Sequence, residues 1–211
     1  MKKHLTLFLS ALLLLTLCAC GPKEEKPLPP TPAKPVIYLY PEETTSVTVK
    51  LDFDGVLTCT YPAYENGWTV TAAPDGTLTD DAGQAYNYLY WEGEGPADND
   101  FSRGFCIPGA DTAAFLSDTL SRLGLTRREA NEFIVYWLPQ MEQNPYNLIA
   151  FQQEAYTETA PLTVIPQPDS ILRVFMAWKP LSEPMEIAPQ TLPTFERQGF
   201  TLVEWGGAKT Q

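Results

Sequence analysis

Between residues 111 and 139 the hydrophobic period changes from two to about 3.6, and afterwards it changes back. No all-β or all-α chain reads that way. Asp111 stands where a helix cap belongs, and Phe115, Leu116, Leu120 and Leu123 recur on one face before Gly124, a left-handed stop. Thr126-Arg127-Arg128-Glu129 is a capping box. The helix behind it places Ala130, Phe133, Ile134, Trp137 and Leu138 together and is expected to end at Pro139. On either side, period-two runs predict strands. Residues 36–40 are a compact β-type run. Residues 45–53 alternate Val47, Val49, Leu51 and Phe53 with polar partners, and Asp54-Gly55 signals a hairpin to residues 56–61. Asn66-Gly67 and Pro74-Asp75-Gly76 flank a strand at 68–73, and 86–92 is another. Strands resume at 148–156, 162–165, 171–178 and 200–205. The expected fold is a single α+β domain, a mainly antiparallel sheet with a helical hairpin between its N-terminal and C-terminal strands. A β-sandwich carrying inserted helices is the alternative.

The first 35 residues are not expected to join that core. Met1-Lys2-Lys3-His4 is a basic start, and residues 5–17 are almost wholly apolar, too short for a permanent span of about 20 residues. That is the anatomy of an export signal. It ends in Leu17-Cys18-Ala19-Cys20-Gly21, which resembles the bacterial lipoprotein cleavage box. The resemblance implies removal of residues 1–19 and lipidation of Cys20. Acyl chains contribute about 0.8 kcal/mol per buried CH2, so two or more hold a protein at a membrane. Residues 20–35 are then a lipidated cysteine and a proline-rich stalk, extended at about 3.1 Å per residue. A globular domain at 36–207 and a tail at 208–211 follow. The expected location is the extracytoplasmic face of the cell membrane, at the cell surface or in a periplasm.

Three segments stand out: Lys34-Pro35-Val36-Ile37-Tyr38-Leu39-Tyr40-Pro41, Glu132-Phe133-Ile134-Val135-Tyr136-Trp137-Leu138-Pro139 and Val203-Glu204-Trp205-Gly206-Gly207. They resemble a family of secreted or lipid-anchored microbial proteins with no assigned activity. The likeness runs over most of residues 35–207. It implies one structural unit and supplies no functional residue.

Charge and composition narrow the chemistry. A formal charge of −12, from 14 Lys+Arg against 26 Asp+Glu, argues against nucleic acid as a partner. The one histidine, His4, lies in the expected signal, so histidine-based nucleophilic schemes and imidazole zinc sites drop out. Cys59 and Cys106 could pair in an exported protein, or Cys59 could be a buried thiol beside Leu57 and Tyr61. Carboxylates remain as acid-base groups. Glu92, Glu132 and Glu204 all neighbour aromatic or apolar stretches, where lost hydration would raise a carboxyl's pKa toward that of a general acid. Two at about 5–9.5 Å would be a glycosidase arrangement. The competing reading pairs them with Arg173, a cation inside an apolar strand.

Tyr86, Tyr88 and Tyr90 alternate as one strand face and could stack on sugar rings, although tyrosine is also simply a good strand former. Asp98-Asn99-Asp100-Phe101-Ser102 has oxygen ligands at alternating positions but lacks the glycine and closing glutamate of a calcium loop, and reads as a polar surface loop. Neither a metal nor an organic cofactor is expected. The reading favoured by these residues is a lipid-anchored ectodomain that binds a glycan or a protein without converting it. A carboxylate-dependent hydrolase and a purely structural envelope component are the alternatives.

Overall fold

The structure, a computed structural model, describes residues 33–96, 98–152 and 154–210. The expected signal, the lipidated Cys20 and most of the stalk lie outside the described residues. The strands are β1 (Ala33–Tyr40), β2 (Thr45–Leu51), β3 (Val56–Tyr61), β4 (Trp68–Ala72), β5 (Leu78–Thr79), β6 (Ala85–Tyr86), β7 (Leu89–Glu94), β8 (Phe105–Pro108), β9 (Tyr146–Gln152), β10 (Leu162–Ile165), β11 (Ser170–Leu181) and β12 (Thr201–Lys209). Helices α1 (Thr112–Leu123) and α2 (Arg127–Met141) form the hairpin between β8 and β9, and a short α3 (Glu154–Thr159) follows β9.

The expected α+β class is the observed one. Its strands divide into two sheets, a seven-stranded one ordered β3-β7-β1-β12-β11-β9-β8 and a five-stranded one ordered β10-β2-β4-β5-β6. All pairs are antiparallel except β11 with β12. Helices α1 and α2 cover one face of the larger sheet, where Leu116, Leu120, Phe133 and Trp137 meet Val174, Met176, Val203 and Trp205. The smaller sheet covers the other face, with Val47, Val49 and Trp68 against Ile37, Leu39, Leu89 and Leu202. The middle of the large sheet is therefore buried on both faces, while its edge strands β3 and β8 are partly exposed. That is why β12 is buried at all but its last residue, Lys209, instead of alternating inside and outside.

The helix hairpin follows its local signals. Gly124 has φ 101°, the left-handed stop that ends α1. Thr126 accepts the Glu129 amide, and the Glu129 carboxylate accepts the Thr126 amide, closing the capping box. Asp111 occupies the cap position of α1, but its side chain makes no capping bond. Pro139 does not end α2, which runs on to Met141. Gly207 lets the hairpin seat closely: a Cβ there would lie 2.5 Å from the Met176 carbonyl and 2.8 Å from the Trp137 ring.

Other expectations give way to tertiary packing. Asp54-Gly55 does not close a hairpin. β2 pairs with β4 and β10 in the small sheet, whereas β3 crosses to the large sheet and pairs with β7. The stretch 86–92 is two strands in different sheets, broken at Asn87 and Tyr88. β9 stops at Gln152, and α3 replaces the rest of the expected strand, so that Tyr156 stacks on Phe175 at 4.2 Å between the sheets. β8 was not foreseen. Lys34 and Pro35, read as stalk, belong to β1. They sit in an irregularity between Ala33 and Val36, where a missing proline N–H breaks no ladder bond. Ala208 and Lys209, read as tail, complete β12, and Ala208 is wholly buried.

Among the described residues no helix is long and apolar enough to cross a membrane.

Candidate functional site

Two tyrosines on β1 face two glutamates on α2. Tyr38 and Tyr40 are two residues apart on a strand, so both project from the helix-facing side, spaced about 6.6 Å along it. Glu129 and Glu132 are three apart on a helix and share a face, about 4.5 Å apart along its axis. The spacings match well enough for two bonds: the Tyr38 hydroxyl donates to Glu132 at 2.7 Å and the Tyr40 hydroxyl to Glu129 at 2.7 Å. Burial, followed by the Glu132 hydrogen bond and charge, pushes the Tyr38 phenol far up, so it stays a donor. Burial and Glu129 do the same to Tyr40.

Beside the Tyr38–Glu132 pair lies a groove of about 410 Å³ lined by Lys34, Asn87, Tyr88, Asn131, Glu132, Val135 and Tyr136. Tyr88 meets Tyr38 edge to face, with centroids 5.3 Å apart. Tyr136 packs at right angles on Trp137, and the Lys34 ammonium stands 5.0 Å over its ring. Lys34 has φ 53°, a left-handed geometry costing a lysine about 1–2 kcal/mol. The bulge that imposes it puts the ammonium between Tyr136 and Trp205, 5.7 Å from the latter ring. Glu92 flanks the same end, its carboxylate accepting the Lys34 amide at 3.3 Å. Burial and then Glu92 raise the Tyr90 and Tyr136 phenols, while burial and then Glu132 raise Tyr88. Val135 is 74% exposed here, an apolar side chain at the rim.

The three glutamates singled out from the sequence separate. Glu92 and Glu132 lie on the helix side of the large sheet. Glu204 lies on the opposite side, wholly buried, with Arg173 Nε 2.5 Å from one oxygen and Trp91 Nε1 3.1 Å from the other. Arg173 also donates to the Ala160 carbonyl at 2.8 Å and lies over the Tyr156 ring. Each Glu204 oxygen thus accepts a donor inside the core. Glu204 is half of a structural ion pair, not a candidate acid. The tyrosine triplet separates too: Tyr86 belongs to the small sheet, packing on Tyr61 at 5.3 Å and donating to Asp80 at 2.8 Å. Tyr88 stays in the groove, and Tyr90 sits behind it with Glu92.

Cys59 and Cys106 are free, and Cys59 is exposed rather than buried. They sit on β3 and β8, the two edges of the seven-stranded sheet. Six inter-strand steps of about 4.8 Å put them roughly 29 Å apart, far beyond disulfide reach. Alkylating the full chain without reductant should label both thiols; a peptide map joining Cys59 to Cys106 within one chain would contradict this strand order.

The groove offers phenols and amides as donors, carboxylate and amide oxygens as acceptors, one ammonium, and two aromatic faces. Chemically, such a set complements a molecule dense in hydroxyl groups. Among the described residues no three His, Cys, Asp or Glu side chains are placed to hold a metal ion. Sequence reasoning missed Tyr38, Tyr136, Asn87, Asn131 and Lys34 as site residues. A signal was present: Lys34 and Tyr38 of one conspicuous segment meet Tyr136 and Glu132 of another here. The third segment joins them, for a Cβ on Gly206 would touch Pro35 at 3.0 Å.

No family model matches the chain, and no solved structure matches it. It is similar to a Butyrivibrio fibrisolvens protein named "Uncharacterized protein in bglA 3'region", 48% identical over 64 residues. The match covers 29% of this chain and 66% of that protein, just under two thirds of its length.

Proposed function

We propose that the protein is a lipid-anchored envelope protein whose domain binds a neutral or weakly basic glycan without converting it. The anchor rests on the sequence of residues 1–20, read above as an export signal ending in a lipidated cysteine. The binding function rests on one observation: Tyr88 and Tyr136 line a groove together with Asn87, Asn131, Glu132 and Lys34. Aromatic faces cover the apolar face of a sugar ring, while amides and a carboxylate take its hydroxyls. The engagement of the carboxylates supports binding over catalysis. Glu132 is held by Tyr38 and stands 3.8 Å from Arg128, and Glu92 is tied to the Lys34 backbone.

The test is calorimetry on the full chain with soluble peptidoglycan fragments and with xylan and β-glucan oligosaccharides. Saturable binding to one class is expected, weakened about tenfold by Tyr88→Ala or Tyr136→Ala, equivalent to about 1.4 kcal/mol. Oligosaccharides shortened on incubation, with activity lost by orders of magnitude in Glu132→Gln, would establish the hydrolase reading instead. No binding to any of them would leave the structural-component reading.

A further inference from the structure

β11 is longer than the strand beside it. Its pairing with β9 begins only at Phe175, opposite Gln152, where β9 ends. Residues 170–174 pair with β12 on one side and, among the described residues, with no strand on the other. The direction of the backbone groups there can be worked out. The Phe151 N–H and C=O are both engaged by the Gln190 side-chain amide, at 2.9 and 2.6 Å, so they point away from β11. Antiparallel pairs alternate, so Gln152 and Phe175 exchange bonds with each other. Two and four residues earlier, Arg173 and Ile171 then direct their N–H and C=O groups the same way, out of the sheet. The other parity agrees: the Ser170 N–H donates to Phe200, and the Trp178 carbonyl accepts from Thr210, both on the β12 side.

This edge opens into an apolar groove of about 350 Å³. Five consecutive residues, 171–175, line it, which a strand can do only when the groove looks onto its edge rather than onto one face. One wall is Leu123 and Phe195, continuous with Leu172 and Val174; the other is Glu154 and Thr157. None of these residues belongs to the groove at Lys34 and Tyr136. Arg173 is neutralised by Glu204, so Glu154 is the uncompensated charge of the lining. Ile171 is 46% exposed at this edge.

We propose that this groove binds an extended peptide segment of a partner protein, added as a strand alongside residues 171–174 where β9 leaves off. A row of outward N–H and C=O groups spaced at the strand repeat is a template for one more strand. The two walls define its side chains. Residues facing Leu123 and Phe195 are apolar, and those of the opposite parity, facing Glu154, are basic. The recognised chemistry is an alternating apolar and basic strand of about four residues, spanning roughly 13 Å.

Fluorescence anisotropy on the full chain tests this with a labelled peptide Val-Lys-Val-Lys-Val-Lys and the same peptide N-methylated at alternate residues. N-methylation keeps charge and side chains but removes ladder donors. Saturable binding is expected, at least tenfold weaker for the N-methylated peptide, for Ile171→Pro and for Glu154→Lys. Hydrogen exchange at the Ile171 and Arg173 amides should slow when the unmethylated peptide binds. Equal binding of the two peptides, or protection elsewhere, would overturn the proposal. So would absence of saturable binding, or self-association of the wild type that Ile171→Pro abolishes, which would place a second copy on this edge.

Discussion

Arg173→Met should lower the melting temperature by roughly 10 °C, because it strands a charge between two sheets. The guanidinium is 8% exposed and the Glu204 carboxylate not at all. Removing one partner of such a pair costs about 3–5 kcal/mol, and a domain of this size loses about 2–4 °C per kcal/mol. The second variant separates the origin of that loss. Arg173→Met with Glu204→Leu removes both charges, so most of the penalty should return. A residue of about 1–3 kcal/mol should persist, because the Trp91 indole N–H loses its acceptor and the Ala160 carbonyl its donor. Thermal unfolding of both variants checks this. A double variant no more stable than the single one would show that the pair's charge is not what the core balances. A single variant of wild-type stability would mean Glu204 finds water in this structure, contrary to its burial.

Glu129→Ala should cost about as much, again about 3–5 kcal/mol, although Glu129 sits in an ordinary capping box. Its wholly buried carboxylate serves three elements at once. It accepts the Thr126 amide at the start of α2, the Tyr40 hydroxyl from β1, and the Arg197 guanidinium from the long connection between β11 and β12. Arg197 also donates to the Gly124 carbonyl at 3.0 Å, so one ion pair fastens that connection onto the helix hairpin. Glu129→Gln keeps the capping geometry and loses the charge, so it should fall between wild type and Ala.

The pH dependence separates charge from shape. Burial pushes the Glu129 carboxyl up, but Arg197, the Tyr40 hydroxyl and the Thr126 amide outweigh it and hold it below the usual glutamate value. A carboxyl depressed on folding adds stability that is present above its unfolded pKa, near 4.3, and is lost as pH falls toward its folded one. The stability gap between wild type and Glu129→Gln should therefore be full at neutral pH and shrink below about pH 4. A gap constant from pH 7 to pH 3 would assign the effect to packing instead.

Much of this was legible in the chain. The capping box at Thr126, the stop at Gly124 and the apolar faces of both helices are local, decided by bonds within a turn and by side chains four residues apart. So was the alternation of 45–51, which one half-buried strand imposes by itself. The pairing of Arg173 with a carboxylate was legible as a need, since an apolar strand cannot leave a guanidinium unpartnered, but not as a choice among Glu92, Glu132 and Glu204. Register made that choice: Arg173 lies opposite Glu204 across the parallel β11–β12 pair.

By itself, then, the sequence determined the α+β class and the helix hairpin, with the stop at Gly124 and the start at Thr126. Each follows from composition or from periodicities of two and 3.6, which need no knowledge of what lies across the core. Tertiary structure alone decided that Asp54-Gly55 leads into a second sheet, that Tyr86 parts company with Tyr88, and that Cys59 and Cys106 occupy opposite edges. It also decided that Glu92 and Glu132 lie on the helix side of the large sheet, with Glu204 on the other. Adjacent residues on a strand point to opposite faces, so which side a residue serves depends on what packs there. That was settled only when helices closed one face of the large sheet and the small sheet closed the other.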